Sequence, residues 1–339
     1  MFQLFSISLF LSSILFSFCS YANSQASTSW QAPLAAQSLL LDIEVIADNK
    51  LVAVGEYGHI LLSTDGKTWQ QAQVPSQATL TSVYFLNSRL GWAVGHDATI
   101  LHSQDGGESW QVQQFLPQLE KPLFDIAFKD EQNGIAIGSY GLFFRTLDGG
   151  KTWQSEFHDE FLHPDDVDYL NELKLDDEEA YLDARKSMLP HFNRMEVDGR
   201  TLYLVGEMGL IAKSNDFGVK WQKLDDIYHG SFFDIARTQQ GNLIVSGLRG
   251  HIFRSQKNGT PWDPVNSNTT ALLNSIVLGD NNEIYLLGNN GVILKSTDDA
   301  QTFTKHIQAD GKSLIDGVWF DQQLIIVSDI GIKHISLLK

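Results

Sequence analysis

Short apolar stretches separated by polar turns recur along the chain from about residue 40 to its end. Residues 40–46 and 123–128 show the first stretch of a unit, and both contain branched or aromatic side chains. Each unit continues with a stretch ending in Val-Gly or a close variant, a tight turn, another apolar stretch and a polar turn closed by Trp. The runs are too short and too often interrupted by Gly for helices, so the pattern predicts four short strands per unit.

The unit repeats with a period of about 40 residues. Trp69, Trp110 and Trp153 mark the period in the first half of the chain. A second marker, the V-G-x-x-G turn, has its first position at Gly55, Gly95, Gly138, Gly206, Gly247, Gly288 and Ser328. Four strands per 40 residues is the spacing of a propeller blade. We therefore predict an all-β fold, a seven-bladed β-propeller of four-stranded blades.

The two ends of the chain are predicted to meet. The seventh unit, residues 313–339, supplies three strands and ends before an Asp turn, whereas Trp30 lies in phase with the later Trp residues. We expect residues 29–31 to supply the fourth strand of blade 7, because closure removes free sheet edges. The long interval from Trp153 to Trp221 holds an insertion at about 158–191, for which apolar spacing predicts one or two helices.

The turn before each Trp has the form S-x-D-G-G-x-T-W. Its Gly residues permit a positive φ, its Asp accepts hydrogen bonds from turn amides, and its Trp packs between sheets. The fifth copy has Lys257 instead of Asp, and the sixth has Phe303 instead of Trp. We therefore predict a structural role for these Asp residues, namely Asp65, Asp105, Asp148, Asp216 and Asp298.

This turn is the Asp-box, or BNR, motif, which sialidases and sortilin-like receptors share. Residues 91–110 read G-W-A-V-G-H-D-A-T-I-L-H-S-Q-D-G-G-E-S-W, and this longer unit resembles the photosystem II stability and assembly factor family. The resemblance covers the chain from about Gln31 onward, apart from the insertion. It implies an exported, non-enzymatic propeller that helps to assemble a membrane complex. The arginine-rich patch described for photosynthetic members has its nearest candidates at Arg145, Lys213, Arg254 and Lys295.

Charge and the N-terminus narrow the class of partner. A formal net charge of −17 disfavours nucleic acids and anionic membranes, so we expect a protein partner and a monomer. Residues 1–18 carry no charged side chain and predict a signal peptide, cleaved after Ala22 or Ala26, which leaves a propeller of residues 27–339. An uncleaved anchor is the alternative. Phe18 precedes the single cysteine, Cys19, so lipidation is not expected, and the product is predicted to be periplasmic or otherwise exported.

The V-G-x-x-G turns are the candidate binding face, because strand order places them all at one end of the ring and their central residues vary. The candidate partner-binding residues are Glu56, Tyr57, His96, Asp97, Tyr140, Glu207, Arg249, Asn290 and Asp329. The residues at the start of the inner strands are predicted to form a second ring. They are Asp42, Ser82, Asp125, Asn193, Asp234, Ser275 and Asp316. The acids of this ring either hold a cation or waters at the channel mouth, or bond to neighbouring backbone.

The insertion is strongly acidic and is predicted to lie on the binding face. It holds 11 acids against Lys174, Arg185 and Lys186. His158, His163 and His191 do not have the spacing of a metal-ligand motif, and no metal or cofactor is predicted. The insertion is either a recognition element for a basic partner or a solvated decoration.

Two other functions stay open. A sialidase-type glycoside hydrolase needs paired carboxylates or a Tyr–Glu pair and an arginine cluster. Glu56, Glu207 and Tyr57 are candidates for the carboxylates and the tyrosine, but the chain has few arginines to form the cluster. A purely structural repeat protein is the third possibility. The residue pattern favours a binding module without catalytic residues.

Overall fold

The computed structural model describes residues 27–46, 50–224, 226–256 and 259–335. Within them the chain forms seven antiparallel sheets that follow one another in chain order. The innermost strand of each sheet contacts that of the next, and the last contacts the first, so the sheets form a closed ring. The predicted seven-bladed β-propeller is confirmed.

Each blade runs outward from the channel, with its strands paired in sequence order. Blade 1 contains β1 (Leu40–Ile46), β2 (Lys50–Gly55), β3 (Ile60–Ser63) and β4 (Gln70–Gln71). Blade 2 contains β5 (Leu80–Phe85), β6 (Gly91–Gly95), β7 (Thr99–Ser103) and β8 (Gln111–Gln114). Blade 3 contains β9 (Leu123–Phe128), β10 (Gly134–Gly138), β11 (Phe143–Thr146) and β12 (Gln154–Ser155). Blade 4 contains β13 (Phe192–Asp198), β14 (Thr201–Gly206), β15 (Ile211–Ser214) and β16 (Gln222–Lys223).

The remaining blades repeat this order, and blade 7 has three strands within the described residues. Blade 5 contains β17 (Phe232–Arg237), β18 (Leu243–Gly247), β19 (Ile252–Ser255) and β20 (Trp262–Val265). Blade 6 contains β21 (Leu273–Leu278), β22 (Ile284–Gly288), β23 (Val292–Ser296) and β24 (Thr304–Ile307). Blade 7 contains β25 (Leu314–Phe320), β26 (Gln323–Ser328) and β27 (Gly331–Ile335).

The core lies between neighbouring blades rather than inside any one of them. Second strands such as β6 and β10 are buried along their whole length, because both of their faces pack on an adjacent sheet. Leu40 and Ile43 of blade 1, for example, share a buried cluster with Ile325 and Val327 of blade 7. Apolar burial of this kind is the main stabilising term of the ring.

The N-terminal segment lies at the junction of blades 7 and 1, but it is not the predicted fourth strand of blade 7. The amide of Ser29 donates to the carbonyl of Val74 at 2.8 Å, and Gln71 donates through Nε2 to the carbonyl of Trp30 at 2.7 Å, so the segment is tied to blade 1. Ala32 packs into the cluster that blades 7 and 1 share. Trp30 itself is 75% exposed and does not pack between sheets as the later Trp residues do.

The recurring Val-Gly has a steric cause. A Cβ built on Gly55 would lie 2.2 Å from the carbonyl oxygen of Leu39, where the chain enters the inner strand. The last Gly of the turn is needed for another reason, because Gly58 has φ +69°. Ser328 replaces the first Gly in blade 7, where its hydroxyl donates to the carbonyl of Gly331 at 2.6 Å.

The insertion between blades 3 and 4 is helical, as predicted. It contains α1 (Pro164–Asp176) and α2 (Glu178–Ala184), whose surfaces are mostly exposed. Its two ends are anchored, since Phe161 and Leu189 are buried in the cluster that blades 3 and 4 share. In the described part of the chain, no helix combines the length and the apolar character needed to span a bilayer.

Candidate functional site

Every inner strand has a β-bulge close to its start, and the seven bulges shape the channel mouth. In blade 1 the register shifts between Leu40 and Asp42, and the other six blades shift at the equivalent place. A bulge bends its strand and leaves one residue unpaired. Each blade thereby contributes two successive residues to the channel, in an upper and a lower tier.

The two tiers differ in chemistry. We call the upper tier the collar, and it consists of Leu41, Thr81, Phe124, Asn193, Phe233, Asn274 and Ile315. We call the lower tier the floor, and it consists of Asp42, Ser82, Asp125, Arg194, Asp234, Ser275 and Asp316. Blades 1, 3, 5 and 7 place an apolar residue above an Asp. The other three place a polar residue above Ser or Arg.

The register corrects one predicted member of the floor. Sequence counting placed Asn193 there, but Asn193 is the unpaired bulge residue and belongs to the collar, while Arg194 pairs with Val205 and occupies the floor position. Asn193 instead donates through Nδ2 to the carbonyl of Phe232 at 2.7 Å. The sequence predicts only acidic and neutral side chains at the floor, but the floor contains a cation, Arg194.

Floor residues tie each blade to the next. The carboxylates of Asp42, Asp125, Asp234 and Asp316 each accept a hydrogen bond from a backbone amide of the following blade, at 2.7–3.1 Å. Ser82 and Ser275 donate their hydroxyls to Asp125 and Asp316 of the following blades. The predicted bonds from these acids to neighbouring backbone are therefore present.

Arg194 lies among all four aspartates of the floor. Its Nη2 is 3.1 Å from Oδ1 of Asp42 and 4.0 Å from Oδ2 of Asp316. Its Nη1 and Nε lie 3.8 Å and 3.5 Å from the Oδ1 atoms of Asp125 and Asp234. Only the first contact has hydrogen-bonding distance, so a single guanidinium is shared by four carboxylates.

Burial raises the pKa values of several carboxyls in the channel. Burial raises the pKa of Asp125 to about 6, against the opposing effect of Arg194. Burial also raises the pKa of Asp234, and burial together with the charge of Asp42 raises that of Asp316 well above its usual range. Below the floor, burial and the charge of Asp234 raise the pKa of Glu196 to about 7. The field of these groups favours protonation or a further cation.

Cavities lie on both sides of Arg194. The mouth cavity, of about 390 Å³, is lined by the collar, part of the floor, and His191 and Glu207 at its rim. The lower cavity, of about 280 Å³, is lined by Glu44, Tyr84 and Glu196 besides floor residues. Oε2 of Glu44 is buried there without a hydrogen-bond partner among the described residues.

The V-G-x-x-G turns lie around this mouth, and their two variable positions have different surroundings. At the first position, Oε1 of Glu56 accepts from the amide of Leu39 at 3.1 Å, and Oε2 of Glu207 accepts from the amide of His191 at 3.3 Å. These two carboxylates are therefore engaged with backbone in separate blades. His96 and Asp329, also at the first position, are exposed.

The second position is the tip of the turn. We call Tyr57, Asp97, Tyr140, Met208, Arg249 and Asn290 the tip residues, and all six have φ between +51° and +59°. Asp97 is half-buried and the other five are exposed. A left-handed conformation is uncommon for residues other than Gly, Asn and Asp. Three of the tips nevertheless carry large apolar or aromatic side chains.

The Asp-box carboxylates accept hydrogen bonds from backbone amides of their own turns. Oδ1 of Asp105 accepts from the amide of Ser109 at 2.9 Å, and Oδ1 of Asp148 accepts from the amide of Thr152 at the same distance. Asp65, Asp216 and Asp298 accept equivalent bonds. Hydrogen bonds from the amides of Thr68 and Lys67 lower the pKa of Asp65 to about 2. In blade 5 the position of Lys257 lies outside the described residues.

The basic residues before the Asp boxes are engaged in their own and adjacent blades. Arg145 pairs with Glu156 and donates to the carbonyls of Phe217 and Gly218 in blade 4. Arg254 and Lys295 form ion pairs with Asp299 and Glu283. The Lys213 ammonium lies 5.5 Å from the ring centre of Tyr203.

The insertion adjoins the turn of blade 3 and stands beside the mouth. Leu189 lies against Gly141, and the His191 ring contacts that of Tyr140 with centroids 4.5 Å apart. Nδ1 of His158 lies 3.0 Å from Oε1 of Glu160, and its ring packs on Phe143. Within the described residues, no group of three or more His, Cys, Asp or Glu is arranged to hold a metal ion.

Comparison with known proteins gives consistent matches. The family model of the photosynthesis system II assembly factor YCF48 matches residues 22–119, 112–195 and 195–331. The photosystem II assembly protein Ycf48 of Thermosynechococcus vestitus is 28% identical over 69% of this chain and 61% of its own length. The photosystem II assembly lipoprotein Ycf48 of a Picosynechococcus species is 31% identical over 68% of this chain and 61% of its own length. The alignments thus cover about three fifths of these relatives.

Solved structures agree with the fold. The structure of YCF48 bound to D1 peptide has a TM-score of 0.67 and 19% identity, and covers 93% of this chain and all of that one. The structure of YCF48 from Cyanidioschyzon merolae has a TM-score of 0.65 and 17% identity, and covers 91% of this chain and 98% of that one. At these identities the likeness concerns the propeller itself.

Proposed function

This chain belongs to the family of the photosynthesis system II assembly factor YCF48, and from that premise we propose that it is a non-enzymatic, protein-binding propeller. Its partner is a polypeptide segment of a membrane protein complex under assembly. It binds that segment on the face formed by the V-G-x-x-G turns and the channel mouth.

The observation that carries this proposal is the chemistry of the tip residues. Tyr57 and Met208 are 61% and 72% exposed, although both have positive φ. Gly would adopt this conformation without steric cost, and Asn or Asp at little cost. Bulky side chains at strained, exposed positions indicate selection for contact with a partner. Tyr and Met are also favoured at protein interfaces.

The same face supports binding over hydrolysis. Glu56 and Glu207, the carboxylates that a sialidase-type mechanism would require, accept hydrogen bonds from backbone amides of their own blades. Arg194, which lines the mouth cavity, is surrounded by aspartates and is thereby unsuited to hold a substrate carboxylate. The relative solved with a D1 peptide supports a protein ligand.

We further propose that the chain acts on the exported side of a membrane, as a monomer. The uncharged N-terminal run supports export. The relative from Picosynechococcus is named a lipoprotein, which argues against the expectation that Cys19 is not lipidated. Cys19 lies outside the described residues, and mass spectrometry of the protein isolated from its own cells distinguishes a lipidated Cys19 from cleavage after Ala22 or Ala26.

Binding of a fluorescent D1 peptide, followed by anisotropy, tests the proposal. A triple variant, Tyr57→Gly, Tyr140→Gly and Met208→Gly, should bind at least tenfold more weakly and melt at the wild-type temperature or above, because Gly relieves the positive φ. The matched control changes exposed apolar residues beside the Asp boxes, Leu147→Ser and Val219→Ser, and should bind as the wild type does.

The same variants, used in crosslinking with membranes of the source cells, extend the test to the natural partner. The triple variant should lose the crosslinked partner that the wild type and the control retain. Equal crosslinking by all three proteins would show that the turn face is not the binding surface.

A further inference from the structure

The mouth cavity joins an apolar wall to a floor with excess negative charge. Leu41, Phe124, Phe233 and Ile315 supply the apolar part of the collar and are all half-buried. Of the floor beneath them, Asp42, Asp316, Ser275 and Arg194 line this cavity, and Asp125 lines the lower one. A ligand that fills this cavity therefore meets hydrocarbon first and carboxylates at the bottom.

We propose that the channel mouth binds one lysine or arginine side chain of the partner polypeptide, with its aliphatic stem against the collar and its cationic head at the floor. This inference deepens the proposed function and rests on it. Lys and Arg commonly lay their stems along apolar surface while their charged heads contact polar groups. The volume of about 390 Å³ lies at the small end of ligand sites and suits one side chain rather than a folded element.

The geometry of the floor explains why a second cation is favoured. Three of the four separations between Arg194 and the aspartates are 3.5–4.0 Å, so most carboxylate oxygens have only weak compensation from the guanidinium. In Asp42 and Asp316, Oδ2 accepts a backbone amide and Oδ1 accepts from Arg194 or Ser275, so each carboxylate retains lone pairs for a further donor. Because Asp42 and Asp316 are buried, an added positive charge interacts with them more strongly than it would with carboxylates at an open surface.

The lower cavity, beneath the floor, is also lined by acidic side chains. Glu44 and Glu196 add two more carboxyls to the lower cavity, and Oε2 of Glu44 lacks a hydrogen-bond partner within the described residues. Burial is the main cause of the raised pKa values of Asp125, Asp234 and Asp316, so the removal of these carboxyls from water is only partly compensated by Arg194. Among the described residues that line the two cavities, Arg194 is the single arginine or lysine.

The collar distinguishes an organic cation from a metal ion. Two of its polar members are held against the protein, since Thr81 donates to the carbonyl of Leu123 and Asn274 to that of Leu314. The apolar members offer no ligand to a hydrated ion and would gain nothing from it. They gain free energy from covering methylene groups.

Methyl NMR of the full mature chain with n-butylammonium tests the proposal directly. The methyl signals of Leu41 and Ile315 should shift and saturate with this cation and with n-butylguanidinium. The neutral analogue n-butanol should bind at least tenfold more weakly, and 0.5 M NaCl should weaken only the cations. Equal affinity for n-butanol, or no shift of these methyls with any probe, would overturn the proposal.

A variant pair provides a second test that needs no ligand. Leu41→Lys places a cation above the floor, and Leu41→Gln is its neutral control at the same half-buried position. At pH 7.5 the Lys variant should melt at a temperature equal to or above that of the Gln variant and should no longer respond to n-butylammonium. A Lys variant that melts lower than the Gln variant contradicts the proposed excess of negative charge.

The two proposals can fail separately. If the D1 peptide binds and the tip variants weaken it, but n-butylammonium does not compete with it, the cation site is wrong and the protein-binding function stands. If n-butylammonium binds to the mouth but no peptide or membrane partner depends on the tip residues, the proposed function is wrong.

Discussion

Oδ2 of Asp316 in blade 7 accepts a hydrogen bond from the amide of Ile43 in blade 1 at 3.1 Å, which joins the last blade to the first at the channel. The same bond, from one aspartate to the amide of the next blade, links blades 1 to 2, 3 to 4 and 5 to 6. Buried side chains of the inner strands therefore link blade 7 to blade 1. The sequence instead predicts closure by residues 29–31 as the outer strand of blade 7.

Substitution of Asp316 tests this closure. Asp316→Ala leaves the buried amide of Ile43 and the hydroxyl of Ser275 without their acceptor, which should lower the free energy of unfolding by about 1–3 kcal/mol. Asp316→Asn keeps one acceptor oxygen and should lose less. Urea denaturation measures both, with the exposed Asp329→Ala as the control in the same blade. Equal losses for Ala and Asn would contradict the assignment.

Arg194 should be required for stability because it compensates the floor. Arg194→Met removes the cation that lies among four buried aspartates, and such a loss costs about 3 kcal/mol or more at pH 7.5. The deficit should shrink at pH 5, because Asp125, whose pKa burial raises to about 6, is then protonated. Arg249→Met, at an exposed tip, is the matched control and should stay within about 0.5 kcal/mol of wild type at both pH values. A deficit independent of pH would refute the charge argument.

The carboxyls of the channel also predict how the wild-type protein responds to pH. Asp125 and Glu196 have folded pKa values of about 6 and about 7, above those of the unfolded chain, so the folded state binds more protons. The stability they contribute is present at low pH and is lost as pH rises through 6 and 7. The Asp-box carboxyls, such as Asp105 and Asp298, have lowered pKa values and act oppositely, losing their contribution below about pH 4.

Thermal melts from pH 4 to pH 8 should therefore show highest stability near pH 5. Glu196→Gln should flatten the decline between about pH 5 and pH 7, because it removes the group whose pKa is about 7 in the folded state and about 4.3 in the unfolded chain. Asp263→Asn, an exposed change in blade 5, should leave the decline as it is. An unchanged slope in the Glu196 variant would show that other groups titrate in this range.

The periodic features of the fold were readable from the sequence because each blade repeats them. The V-G-x-x-G turns and the Trp phase predict seven blades. Gly55 and its equivalents recur because another backbone segment lies so close to each of them that a Cβ would not fit. The interval between Trp153 and Trp221 likewise revealed the helical insertion.

Features that occur once in the ring could not be obtained by counting. Counting back from Gly206 by the spacing of blade 1 predicts Asn193 at the floor. The connection between β13 and β14 is one residue shorter, because Phe192 pairs with Gly206 whereas Leu40 pairs with Gly55, so Arg194 occupies the floor position. A signal existed, since Phe192 and Met195 match Leu40 and Ile43, which flank the equivalent Asp42. Trp30 lay in phase by sequence, yet its segment bonds to blade 1 through contacts that periodicity does not contain.

The N-terminal segment offers a test of that difference. Trp30→Ala should leave the melting temperature unchanged, because the ring is largely exposed. Deletion of residues 28–34 should lower it clearly, because it removes the bonds to Gln71 and Val74 and the packing of Ala32. If both changes lower the melting temperature equally, the Trp30 side chain packs against the protein, contrary to this prediction.

The insertion can now be dissected into an anchored and an exposed part. Replacement of residues 163–187 by a short Gly/Ser linker removes both helices and keeps Phe161 and Leu189, which are 4% and 2% exposed. This variant should stay folded with a melting temperature near that of wild type. Replacement of the whole of 158–191 also removes those two side chains, and large apolar core residues contribute about 2–5 kcal/mol each, so it should be strongly destabilised.

The shorter replacement is therefore the variant with which to test recognition. It deletes nine acids and three bases, so a basic partner should be captured more weakly, and the remaining binding should depend less on salt. Pull-down at 50 mM and 300 mM NaCl measures both effects. The control keeps the helices and changes Asp165 and Asp168, two exposed acids of α1, to Asn and should show a smaller shift in the same direction. If the shortened chain captures its partner with wild-type strength and salt dependence, the insertion is a decoration and recognition belongs to the turn face alone.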